Sequence, residues 1–123
     1  MTGKNSLHEI FAKQIKFQQL VTGEAHLPQD NIEWASYHVL GLVEEVGEVL
    51  KADKRWKTHR NSHYDKRNKL EELADIFITS TNIALFSGFS ADDIYKAILE
   101  KIEVNTSKLE LERSKTNNAT NNS

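Results

Sequence analysis

Two stretches of this chain are apolar at helical spacing yet carry paired acids at matching places, and few folds accommodate that combination. Around Gly41-Leu42-Val43-Glu44-Glu45-Val46-Gly47-Glu48-Val49-Leu50, the residues Val39, Val43, Val46 and Leu50 fall on one stripe of a helix, with Leu42 and Val49 on its flank. At about 100° per residue, Glu45 lies roughly 40° beyond the Val49 edge, Glu48 lies further round, and Glu44 points almost the opposite way. The stretch Leu70-Glu71-Glu72-Leu73-Ala74-Asp75-Ile76-Phe77 repeats the device. Leu70, Leu73, Phe77, Ser80 and Ala84 make its stripe, Ile76 and Ile83 its flank, and Glu72 and Asp75 sit just outside the flank edge. Glu71 points away. The offset falls on the same side in both helices, so antiparallel packing through the stripes would bring Glu45, Glu48, Glu72 and Asp75 to one edge of the contact. Like charges that close repel and call for a cation. Four oxygen ligands with no Cys or His beside them suit Mg²⁺ or Mn²⁺ rather than Zn²⁺.

The remaining elements are helical too. Ser6-Leu7-His8-Glu9 is a capping box that opens a first helix, with Leu7, Ile10, Phe11, Gln14, Phe17, Gln18 and Val21 along one face and Gly23 at its end. Residues 23–31 hold the only proline, Pro28, and read as a loop. Asp30-Asn31-Ile32-Glu33 offers a second capping box for the helix carrying the first acidic motif. A third helix is expected from about Tyr64–Lys66 to Phe86, with Gly88 as its cap, and a fourth from Ser90 to about Glu112. No alternating strand pattern of useful length is present. The predicted fold is all-α: a four- to five-helix bundle whose antiparallel helix pair carries the metal site. Residues 1–113 form one domain, and the polar run 114–123 is expected to be a disordered tail.

Composition sets limits on partners. With 123 residues and 38% hydrophobic content the core is lean, and the apolar residues of two long helices exceed what one layer can enclose. Completion by oligomerisation, as a homodimer or homotetramer, follows. The net charge of −2 argues against nucleic acid as a partner. The chain has no cysteine, so thiolate metal sites are out. None of the five histidines has a glutamate three residues before it, which argues against a di-iron carboxylate centre. No apolar run is long enough to span a membrane and no secretory core opens the chain, so a cytoplasmic protein is expected.

Glu45-x-x-Glu48 and Glu72-x-x-Asp75, with 23 residues between Glu48 and Glu72, resemble the ExxE…ExxD signature of the MazG-like nucleoside triphosphate pyrophosphohydrolases. These belong to the all-α group that also holds the dimeric dUTPases and the dCTP pyrophosphatases. Lys101-Ile102-Glu103-Val104-Asn105 is similar to a Lys-x-x-x-Asn that follows the last site helix in that group. The resemblance covers roughly residues 30 to 110. It implies Mg²⁺-dependent hydrolysis of deoxynucleoside triphosphates to the monophosphate and pyrophosphate, by water attack at the α-phosphorus. Glu45, Glu48, Glu72 and Asp75 would be both the metal ligands and the catalytic acids, with Lys101 and Asn105 on the phosphates. Arg55, Lys57 and Arg60 form a second basic group, of which Trp56-Lys57 resembles a Trp-Lys of relatives. Trp34, Trp56 and Phe17 are the aromatic candidates for stacking on a base. Thr79 stands where relatives acting on pyrimidine nucleotides often carry an aromatic residue. The alternative is a non-catalytic helical partner or antitoxin-like module that kept the bundle, against which all four acids speak.

Overall fold

The structure, a computed structural model, describes residues 6–57 and 64–121. Among these residues there are four α-helices and no strand: α1 (Ser6–Thr22), α2 (Ile32–Ala52), α3 (Lys66–Phe86) and α4 (Ala91–Asn121). The chain divides into two compact units, Met1–Ser90 and Ala91–Ser123. The second unit is the helix α4. It runs past Glu112 and through Ser114 to Asn121, where the sequence predicted a disordered tail. No glycine or proline interrupts it, and the Thr116 hydroxyl donates back to the Glu112 carbonyl at 3.0 Å.

Local chemistry sets the helix ends of the first unit. Asn31 caps α2, its side chain accepting from the Trp34 N–H at 3.0 Å. The cap falls one residue later than the sequence pattern suggested, because Asp30 takes a left-handed backbone with φ of 49°. Asp65 caps α3 in the same way through Asn68, and Gly88, with φ of 84°, turns the chain after Phe86. The Asn31 N–H also donates to the Phe86 carbonyl at 2.7 Å, tying the start of α2 to the end of α3.

Helices α2 and α3 are antiparallel and packed along their length. The facing pairs run Asn31 with Phe86, Gly41 with Thr79, Glu45 with Asp75, and Asp53 with Tyr64. Gly41, Glu45, Thr79 and Asp75 lie outside the apolar stripes, on the side of each helix that carries the acids. The packing expected through Val39, Val43, Val46 and Leu50 is therefore corrected: all four are exposed, Val43 at 68%, as are Leu70, Leu73 and Phe77, the last at 70%. Gly41 and Thr79, on the acid-bearing sides, are small enough to let the helices meet there, and the bulkier rows face outward. The buried apolar residues of the unit are Phe11, Ala35, Ala52, Ala84 and Phe86, a small set for its length.

Phe86 is fully buried and is the largest such side chain. Trp34 and His38 stack on it, with ring centroids 5.3 and 5.2 Å away. Phe86→Ala is expected to cost about 3–5 kcal/mol of unfolding free energy. Urea denaturation followed by far-UV circular dichroism measures it, and a loss below about 1 kcal/mol would show that this aromatic layer does not hold the helix pair.

Candidate active site

This packing brings three of the four expected acids together. Glu45 on α2 and Glu72 and Asp75 on α3 each offer a carboxylate oxygen, and these oxygens lie within 4.8 Å of one another. Glu45 and Glu72 are half-buried, whereas Asp75 is exposed and opens the group to solvent. Burial first, and then the charges of Asp75, Glu72, Glu44 and Glu48, raise the Glu45 carboxyl above its ordinary value. The fourth acid, Glu48, stands outside the group, with its Oε1 3.4 Å from Lys51 Nζ. Glu44 is exposed and Glu71 is paired with Arg67 at 3.1 Å, both turned away as the angular argument required. Three hard oxygen donors on two packed helices fit a small divalent cation of the Mg²⁺ type, and among the described residues no nitrogen or sulfur ligand joins them.

The basic candidates are less available than their sequence suggested. Arg55 is committed to Asp53 through two side-chain hydrogen bonds of 2.8 and 2.7 Å, and its guanidinium lies 3.6 Å from the Tyr64 ring centroid. Lys57 sits 5.2 Å from the Trp56 ring centroid. Arg60 lies outside the described residues. Lys101 and Asn105 are exposed and one turn apart on α4.

Of the stacking candidates, Trp34 is part of the aromatic layer with Phe86, His38 and Tyr37. Trp56 is exposed, with its Nε1 donating to the Leu50 carbonyl at 3.3 Å, and Phe17 is exposed on α1.

A polar group the sequence did not single out as a unit lies further along the seam. Gln14 Nε2 of α1 donates to Asn82 Oδ1 of α3 at 2.8 Å. Gln18 is only 4% exposed, and its Oε1 has no hydrogen-bond partner among the described residues. His38 Nε2 is likewise buried and unpartnered among them, and burial lowers the His38 pKa, favouring the neutral ring. Buried polar atoms left unpaired are costly and call for water or a ligand. The available signal was two glutamines one turn apart on the apolar face of α1, and Asn82 within an apolar helix.

The model of the dUTPase family matches residues 6–85, which span α1 to α3 and all of the acids and amides just described. The chain belongs to that family. No curated protein and no solved structure matches it. The match supports the all-α group of nucleoside triphosphate pyrophosphatases, and Lys101 and Asn105 lie beyond the matched residues.

The raised Glu45 carboxyl has a consequence for stability. Between its unfolded and its folded pKa the folded state holds the extra proton, so stability falls as pH rises through that interval and stays reduced above it. Glu45→Gln removes this penalty. Without divalent ions at pH 7–8 it should raise Tm by roughly 2–5 °C and flatten the loss of stability between mildly acidic and neutral pH. Thermal melts across that range check both.

Proposed function

We propose that the chain is a Mg²⁺-dependent pyrophosphohydrolase of deoxynucleoside triphosphates, cleaving dUTP or a close relative to the monophosphate and pyrophosphate. The observation that carries the reading is the convergence of Glu45, Glu72 and Asp75 within the span that matches the dUTPase family. These three residues would hold the ion, and Glu48 would join them on leaving Lys51. When bound, the ion neutralises phosphate charge and lowers the pKa of a coordinated water.

The protein's own side chains give the substrate its direction. Asn82, Gln14, Gln18 and His38 offer amide donors and acceptors and a neutral imidazole, a set able to read the hydrogen-bonding edge of a base. His38 and Asn82 lie seven residues from Glu45 and Asp75 along their helices, about 10 Å at 1.5 Å per residue. That separation suits a nucleotide whose base is held at one layer and whose first phosphate reaches the acids at the other. It favours water attack at the α-phosphorus over attack at the terminal one. Trp34 then acts from the wall of the base layer, through its stack on Phe86.

The test is pyrophosphate release from dUTP, dCTP, dTTP, dATP and dGTP, with and without Mg²⁺, and with ¹⁸O-water to locate the cleaved bond. Label in the monophosphate is expected. Glu72→Gln and Asp75→Asn should each lower kcat by about two orders of magnitude with the helices intact. Glu71→Gln, whose carboxylate faces Arg67, should stay within about twofold. A folded wild-type protein without Mg²⁺-dependent turnover on any of the five would support the non-catalytic module instead.

The same reading includes self-association. Val39, Val43, Val46, Leu50, Leu70, Leu73 and Phe77 form an exposed apolar face that a second copy would cover. Val43→Lys combined with Phe77→Lys should move the sedimenting species at micromolar concentration to monomer or unfold it. An unchanged sedimentation coefficient would exclude this face as the interface.

A further inference from the structure

The acid layer is flanked on its open side by an ion-pair cluster that the proposed reaction does not use. Asp53 caps the end of α2, its N–H donating to the Val49 carbonyl at 3.2 Å. Its carboxylate accepts from Lys69 Nζ of α3 at 2.8 Å and from Arg55 at 2.7 and 2.8 Å. The Asp53 side chain is 11% exposed and that of Lys69 31%, so this pair is shielded well beyond an ordinary surface salt bridge. Arg55 and Lys69 both lie over the Tyr64 ring, and the Asp65 N–H donates to the Ala52 carbonyl at 2.9 Å. These contacts fasten the end of α2 to the start of α3.

Position gives the cluster its significance. Lys69 precedes Glu72 by three residues, and Asp53 follows Glu45 by eight, so the clamp is the next layer of the seam that carries the acids. Three carboxylates within 4.8 Å push the two helices apart or along one another. A slip of one residue moves one helix about 1.5 Å against the other, enough to spoil the approach of ligand oxygens. The Asp53–Lys69 bond, a side-chain hydrogen bond from α3 to the end of α2, opposes both motions. Arg55 holds the Asp53 carboxyl far below the ordinary range, with Lys69 adding to the effect, so Asp53 stays a carboxylate over the whole working pH range.

We infer that Asp53, through its bond to Lys69, is a positioning residue that sets the register of α2 against α3 and thereby the cation affinity of Glu45, Glu72 and Asp75. The inference rests on the divalent-cation site proposed above. Mn²⁺ binding to the full-length protein, measured by calorimetry and by electron paramagnetic resonance, is the direct probe, with the Mg²⁺ dependence of turnover beside it. Asp53→Asn and Lys69→Met should each weaken Mn²⁺ by about tenfold and raise the Mg²⁺ needed for half-maximal rate. The kcat at saturating Mg²⁺ should stay within about twofold, and the double variant should be no worse than either single one. Lys69→Arg should restore binding. Asn31→Ala removes a cap at the far end of the same helix pair and is the control for stability alone: it should lower Tm without moving the Mn²⁺ affinity. Should Asp53→Asn fail to fold, Lys69→Met and Lys69→Arg carry the test. The inference is overturned if both clamp variants bind Mn²⁺ like wild type, or if Asn31→Ala weakens it equally. A wild-type protein that binds no Mn²⁺ defeats the site reading itself, a result distinct from either.

Discussion

The helix pair of this protein depends on holding three carboxylates closer than their charges favour. Glu45 feels this directly, since burial and four neighbouring acids raise its carboxyl. A seam built only around such a layer would open. On one side the Asn31–Phe86 bond and the stack of Trp34 and His38 on Phe86 close it. On the other side the Asp53–Lys69 pair and the Asp65–Ala52 bond close it again. The repulsive layer thus sits between two attractive ones, and the fold can carry an unfavourable group because cohesion is placed at both ends.

The same arrangement explains why the bulky stripes face outward. Packing through Val39, Val43, Val46 and Leu50 would have buried more apolar area within one chain. Meeting on the acid-bearing sides, where Gly41 faces Thr79, draws Glu45 to Asp75 and exposes the stripes. Apolar burial within the chain is exchanged for the site, and the exposed face becomes the surface that self-association would cover.

This trade is also where the sequence stopped being legible. Helical period, caps and glycines placed α1 to α3 within a residue or two, because those signals are local. The offset of the acids was legible as well, because every residue on a helix shares one angular frame. What periodicity did not say is that the two helices meet on their acid-bearing faces and leave the apolar stripes exposed. Glu48 illustrates a finer limit. Its spacing from Glu45 is right, but Lys51, one turn on, competes for its carboxylate. Arg55 is similar: its charge was readable, whereas its commitment to Asp53 depends on how the end of α2 turns. The Gln14–Asn82 bond joins residues 68 apart and had no local signal beyond polarity on an apolar face.

The two unsatisfied places on the seam bear on one another. The acid layer carries excess negative charge, and the layer two turns away carries buried Gln18 and His38 atoms lacking partners among the described residues. Each alone lowers the stability of the free chain, the first by repulsion and the second by desolvation. On the proposed reading a single ligand relieves both: its heterocycle supplies hydrogen bonds to the amide layer, and its phosphates arrive with a divalent cation at the acids. Binding that relieves two strains at fixed separation is selective for molecules that reach both. A free base or inorganic pyrophosphate satisfies one layer and leaves the other unpaired. On that reading the discrimination between a whole nucleotide and its fragments would come from the spacing along α2 and α3, a property of two helices in fixed register.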